Sequence, residues 1–206
     1  MARKPLFVFC LATVLTLPAA AQVLYDNGPI NGTTDAWTIN FGFAVSDSFT
    51  VGETSRITGL SFGAWLFPGD VLQSAEVLIG TTEFDGSLFD GEVNFLQSNC
   101  VGNQYGFNVC TESNTFLGPI LDPGTYWLTL ENAVVNTGDP VYWDENSGPS
   151  SASENSVGTI PSEAFTLTKQ DGTSTTTGGT VPEPSSILLL ASGVLALGGI
   201  LGRKPF

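Results

Sequence analysis

Carboxylates are the only abundant reactive side chains in this sequence. Its 206 residues include twenty Asp and Glu, six Lys and Arg, and no histidine. Without an imidazole, Ser-His-acid and Cys-His nucleophilic mechanisms are excluded. Glycoside hydrolysis needs only two carboxylates, and Asp47, Asp85, Asp90, Asp144 and Glu145 are examples that could supply them. No spacing marks one pair, and acids in turns are ordinarily solvated, so no catalytic residue is assigned. Asp47 differs because it shares the alternation of Phe43, Val45, Phe49 and Val51. It belongs either at a bulge or strand edge, the favoured reading, or half-buried beside a partner such as Arg56.

Metal and cofactor chemistry is equally unmarked. Calcium takes hard oxygen ligands, which Asp- and Asn-rich loops provide, but no EF-hand or nonapeptide repeat selects a set. No metal ligand and no cofactor is assigned. Glycine-rich nucleotide loops are absent, since the glycines fall at turn positions. Between residues 22 and 180 there are nineteen acids against two basic residues, Arg56 and Lys169, a net charge near −17. Nucleic acid and anionic lipid are poor partners for such a surface.

The elements that must deliver and position these residues begin with the two ends. Arg3 and Lys4 precede an apolar run from Leu6 to Leu17, Pro18, and Ala19-Ala20-Ala21. This is the pattern of a secretory signal peptide, residues 1–21, with cleavage between Ala21 and Gln22 and passage through the Sec machinery. Cys10 leaves with it, so Cys100 and Cys110 are the only mature pair. In an oxidising envelope they are expected to bridge and pin an exposed loop. A metal or redox role is disfavoured by the missing histidine and by a spacing other than Cys-x-x-Cys.

At the other end, Val181-Pro182-Glu183-Pro184 leads through two serines into an apolar run from Ile187 to Gly202, then Arg203 and Lys204. The run, as a helix, spans about 24 Å, somewhat short of a hydrocarbon core of roughly 30 Å. Arg203 and Lys204 form a membrane stop and place the C-terminus in the cytoplasm. The prolines keep Glu183 in an extended segment that a protease subsite can bind. This order of acid, apolar helix and basic stop, over residues 181–206, resembles the PEP-CTERM sorting signal of Gram-negative bacteria. The resemblance implies recognition of Val181, Pro182, Glu183 and Pro184 by an exosortase, a membrane protease. It also implies transient anchoring in the inner membrane before release to the cell surface or extracellular matrix. A plain membrane anchor is the weaker alternative. Residues 172–180, nearly all Gly, Ser and Thr, read as a flexible tether with a root-mean-square span of roughly 15–18 Å, and their hydroxyls could carry O-linked sugar.

The body, residues 22–171, reads as short strands and turns. Period-two alternation appears in Phe43–Val51, Leu60–Leu66, Ala75–Ile79 and Thr125–Leu130, with further candidates at Val93–Leu96, Tyr105–Cys110, Val141–Trp143 and Ala164–Leu167. Asp85-Gly86 and Asp90-Gly91 are turn signals, and a long polar loop is expected from Asp144 to about Thr159. The predicted fold is all-β, a single antiparallel jelly-roll-like sandwich of eight to ten strands. The stretches Leu24–Gly28 and Gly124–Leu128 resemble the β-rich choice-of-anchor domains that precede such tails.

Trp65 and Trp127 alternate with the aliphatic faces of their strands. If those faces form the core, both indoles point outward and could stack on sugar rings. The alternative, that loops or a helix cover them, is favoured by the usual burial of large aromatics. Two functions follow. The preferred one is a non-enzymatic envelope or matrix protein, exported, processed by an exosortase and associated with extracellular polysaccharide. The other is a secreted polysaccharide-active enzyme, a carboxylate-pair glycosidase or lyase on a jelly-roll scaffold.

Overall fold

The computed structural model of the chain describes residues 21–171. The expected signal peptide (bar Ala21), the tether and the sorting tail with its apolar stretch lie outside the described residues. All described residues fall within the first of two units into which the chain divides, Met1–Gly172 and Thr173–Phe206. They contain no helix. Fifteen strands follow one another: β1 (Gln22–Asp26), β2 (Ala36–Thr38), β3 (Ala44–Val51), β4 (Ser55–Leu66), β5 (Leu72–Gly80), β6 (Phe89–Asn94), β7 (Leu96–Gly102), β8 (Asn108–Thr115), β9 (Ile120–Leu121), β10 (Gly124–Val135), β11 (Tyr142–Asn146), β12 (Ala152–Glu154), β13 (Gly158–Ile160), β14 (Ser162–Glu163) and β15 (Phe165–Asp171).

These strands form two antiparallel sheets, and the fold is a β-sandwich. One sheet has six strands in the order β13-β12-β3-β10-β5-β6. The other has nine: β1-β15-β4-β11-β14, with β2 on β11, β9 and β8 on β4, and β7 on β8. Alternation in β3, β5 and β10 sends Val45, Phe49, Val77, Ile79, Leu128 and Leu130 inward. The second sheet answers with Leu60, Phe62, Trp143, Phe165 and Leu167. Trp143 packs edge-on against Phe62 and Phe165, with ring centroids 6.1 and 5.7 Å away. Each fully buried side chain of this size stabilises the fold by about 1.5–3 kcal/mol.

Some expected boundaries shift. The strand count exceeds eight to ten because five strands have only two or three residues. The expected polar loop after Asp144 instead continues β11 to Asn146 and then folds as the hairpin β12–β13. Asp90-Gly91 is not a turn but lies within β6, paired with Leu78 and Val77. Tyr105 and Gly106 belong to the turn before β8, not to the strand.

Cys100 and Cys110 are bridged. Cys100 sits at a bulge of β7, where Asn99 takes a φ of +50° and the register against β8 slips between Ser98 and Val101. Its partner is fully buried on β8 beside Ala64. The bridge was expected to pin an exposed loop rather than the core; it instead ties an exposed bulge to the core, because Cys110 is itself a core residue. A loop of about ten residues gives somewhat under 3 kcal/mol in the chain-entropy picture. Replacing Cys100 by Ser and Cys110 by Ala is expected to lower the unfolding free energy by about 3 kcal/mol or less, measured by urea titration. Free thiols in protein taken directly from the envelope would contradict the bridge.

Candidate functional site

The turn after β1 organises the polar residues at one end of the sandwich. Asn27 is fully buried, and its side chain leaves the nine-stranded sheet to meet the six-stranded one. Its Nδ2 lies 3.0 Å from Asp47 Oδ2 on β3, 2.6 Å from Ser150 Oγ, 2.8 Å from Ser162 Oγ and 2.7 Å from the Glu163 carbonyl. Asp47 Oδ2 also accepts the Glu163 amide at 2.7 Å. From the other side, Asn146 Nδ2 donates to the Asn27 carbonyl at 2.8 Å. Close approach is enforced at Gly148, where a Cβ would stand 2.3 Å from that same carbonyl.

Asp47 is therefore neither at a bulge nor at an edge. β3 runs between β12 and β10 with unbroken register through this position. Its parity with Val45 and Phe49 was a true signal of an inward carboxylate, and its partners are Asn27 and a backbone amide. Arg56 is elsewhere, donating to the Gly118 carbonyl at 2.9 Å. Burial raises the Asp47 carboxyl to about 6, against the pull of bonds from Ser150, the Glu163 and Ser48 amides and Asn27. Glu163 is pushed well above the usual range by burial and then by the charges of Asp47, Glu145, Asp144 and Asp35.

A second acid acts on the outer face. Asp144 alternates with Trp143, so it points away from the core and beneath the turn that follows Pro29. The Asn31 amide donates to its Oδ2 at 2.8 Å and the Gly32 amide to its Oδ1 at 2.9 Å. Trp65 Nε1 donates to Oδ1 at 2.6 Å. Gly32 has a φ of +65°, and a Cβ there would come within 2.6 Å of Val109. Asp144 thus fastens the 30–33 turn against β4 and β8. Burial raises its carboxyl, opposed by those three donors.

Trp65 does not present an open sugar platform. It is on the outer face, as its alternation implies, but only 4% exposed. The tip of the β7–β8 hairpin covers it: Tyr105 stacks on the indole at 5.5 Å and 20°, and Phe107 packs at 5.8 Å. Trp127 is half-buried on β10, in the other sheet, beside a shallow depression with Thr82, Glu83 and Phe84. The two indoles lie on different sheets and share no surface, so they form no joint stacking platform; for Trp65 the favoured reading, cover by a loop, is what the structure shows. The physical reason is the hairpin tip, whose fold-back alternation could not reveal.

What the sequence left unmarked is a groove of about 560 Å³ between the 30–33 turn and the disulfide hairpin. Ile30, Asn31, Gly32 and Thr33 form one wall; Asn99, Val101, Gly102, Asn103 and Gln104 form the other, with Val109 and Thr111 also lining it. None of these side chains is charged. The remaining candidate acids lie apart from it: Asp85 is a turn residue accepting from the Thr81 amide and from both the amide and hydroxyl of Ser87, which lower its carboxyl. Glu145 is buried and accepts Trp37 Nε1 at 2.9 Å. Among the described residues no group of three or more acidic, histidine or cysteine side chains is arranged to hold a metal by itself.

Residues 180–204 match the PEP-CTERM protein-sorting motif. That motif supports an exported, exosortase-sorted protein with a transient membrane anchor. No curated protein and no solved structure matches the chain.

Glu112 on β8 is a separate buried acid, opposite Phe62 and facing inward, with neither oxygen bonded. Burial alone raises it to about 8. The folded state then keeps a proton that the unfolded chain releases above its ordinary value of 4.5. Its contribution is fully present below that value and is lost as pH rises towards about 8. Glu112→Gln is expected to flatten the fall in stability between those values, by up to about 1.4 kcal/mol per pH unit, measured by denaturant titration across that range.

Proposed function

We propose that this protein is a non-enzymatic component of the cell envelope or extracellular matrix, and that it associates with neutral polysaccharide through the groove between the 30–33 turn and the disulfide hairpin. The observation that carries this reading is the uncharged lining of that groove in a domain with nineteen acids and two basic residues. Side-chain amides at Asn99 and Gln104 and the hydroxyl of Thr111 suit a polyol, which offers both donors and acceptors and no charge. Beside the groove, the Tyr105 ring is 53% exposed and rests on the rigid indole of Trp65. Of the carboxylates with raised pKa values, Asp47, Glu112, Asp144 and Glu163 are fully buried, Glu131 is half-buried on β10, and none lines the groove. That disposition favours binding over carboxylate-pair hydrolysis, which requires both acids to reach the sugar.

Affinity electrophoresis through the host's own extracellular polysaccharide tests the reading. The exported protein is expected to be retarded, and Gln104→Ala and Asn99→Gly each to weaken the retardation severalfold. Glycine at position 99 accepts the positive φ without strain, so the melting temperature should hold. An unretarded parent protein would remove the polysaccharide assignment.

The sorting role assigned to Val181, Pro182, Glu183 and Pro184 has its own test. Glu183→Ala, with both prolines intact, is expected to leave export normal and to stop C-terminal processing. Mass spectrometry of the envelope-borne protein reads the result directly; a variant that matures like the parent would reduce the tail to an anchor.

A further inference from the structure

Glu163 is, with Glu112, one of two fully buried acids among the described residues whose carboxylate oxygens both lack a partner. It is 0% exposed, and neither carboxylate oxygen has a hydrogen-bond partner. It stands directly opposite Glu145 in the β11–β14 pairing, and like charges facing each other across strands are destabilising. Its own amide is bound to Asp47 Oδ2, while Asp47 Oδ1 is also buried and unpartnered. The charged groups acting on Glu163 are all acids, Asp47, Glu145, Asp144 and Asp35. The body's two basic residues are committed to other places, Arg56 to the Gly118 carbonyl and Lys169 to Glu53.

Neutral oxygen atoms complete the surroundings. Ser150 Oγ, Ser162 Oγ and the Glu163 carbonyl crowd Asn27 Nδ2 together with Asp47 Oδ2. That nitrogen has two hydrogens for four oxygens, so the region is rich in acceptors and short of positive charge. Burying carboxylates in this state costs several kcal/mol each unless a counter-charge is present.

We propose that the end of the sandwich between Asp47 on β3 and Glu163 on β14 binds one hard divalent cation of the calcium type, with the free oxygens of these two carboxylates as its charged ligands. Two carboxylates neutralise one divalent ion, and nearby hydroxyl, amide and carbonyl oxygens supply the remaining coordination. The donors are all oxygen, and both cysteines of the body are consumed by their bridge, which selects calcium over zinc. The ion would link the two sheets where Asn27 already does, and its affinity belongs with those of extracellular calcium modules, dissociation constants of about 10⁻⁴–10⁻³ M.

The exported protein, stripped with a chelator and dialysed, should be unfolded thermally in rising calcium at constant ionic strength, with magnesium and sodium as comparisons. A saturable rise in melting temperature is expected with calcium, and Asp47→Asn and Glu163→Gln should each weaken the calcium midpoint tenfold or more. Should those variants fail to fold, the unaltered protein is titrated with terbium. Trp37, bonded to Glu145, is expected to sensitise emission from one stoichiometric ion that calcium displaces. Two results would overturn the proposal. One is an unchanged melting temperature together with no sensitised emission. The other is a Glu163→Gln protein that is more stable in chelator and keeps the full calcium response, which would mean that Glu163 is held there as a neutral acid. Neither result bears on the polysaccharide groove.

Discussion

The carboxamide of Asn27 holds the two sheets together at the polar end of an otherwise apolar sandwich. Its backbone amide donates to the Phe165 carbonyl at 2.9 Å, its carbonyl accepts from Asn146, its Oδ1 accepts the Tyr25 hydroxyl, and its Nδ2 reaches Asp47. Every polar atom of the residue is therefore used, and its partners lie on β1, β3, β11, β14 and β15 or in the turn before β12. Buried polar groups favour a unique arrangement only when their partners are fixed, because an orphaned donor or acceptor in a low-dielectric interior is costly. The turn that carries Asn27 also carries Asn31 and Gly32 to Asp144. The buried acids and the outer groove thus depend on one short connection between β1 and β2.

The fold was legible where alternation is strong. β3, β4, β5 and β10 each bury an aliphatic face, and the sequence showed it as a period of two. The short strands were illegible for a physical reason. β9 and β14 have two residues each, too few to express a period, and they exist only because longer neighbours present free backbone groups. The β12–β13 hairpin was hidden differently: apart from Ile160, its strands are built from Ala, Ser, Glu, Gly and Thr, whose composition reads as loop. Only Ile160 and Ala152 reach the core. β10 outran its expected end because Asn132 takes a φ of +50° and the register against β5 shifts beyond Glu131, a bulge that disguises the continuation.

The site was legible in part. The disulfide was legible because Cys100 and Cys110 are the one pair outside the expected signal peptide; the parity of Asp47 signalled an inward carboxylate, although a bulge or strand edge was the favoured reading. Its partner could not be read, because Asn27 and Asp47 are twenty residues apart and meet only through the packing of two sheets. Trp65 shows the limit of parity more sharply. Alternation correctly put the indole on the outer face, yet exposure depends on what folds over that face, here Tyr105 and Phe107 from forty residues downstream. The uncharged groove has no signature at all in one dimension, since its walls come from residues 30–33 and 99–111 and its distinguishing property is the absence of acids.

The position of β15 bears on how the domain carries mechanical load. This last strand is not at an edge: it is zipped to β4 from Phe165 to Asp171 on one side and to β1 from Gln22 to Asp26 on the other. The sorting motif lies downstream at residues 180–204, so any pull on the chain beyond Asp171 would enter along this strand. In an antiparallel ladder the hydrogen bonds run across the strands, and a pull along the strand axis shears many of them together instead of peeling them one by one. The partner ladders also close the loop between the two ends of the domain, because β1 opens it and β15 ends it. A pull would therefore load two ladders at once, β15–β4 and β15–β1, rather than a single edge ladder.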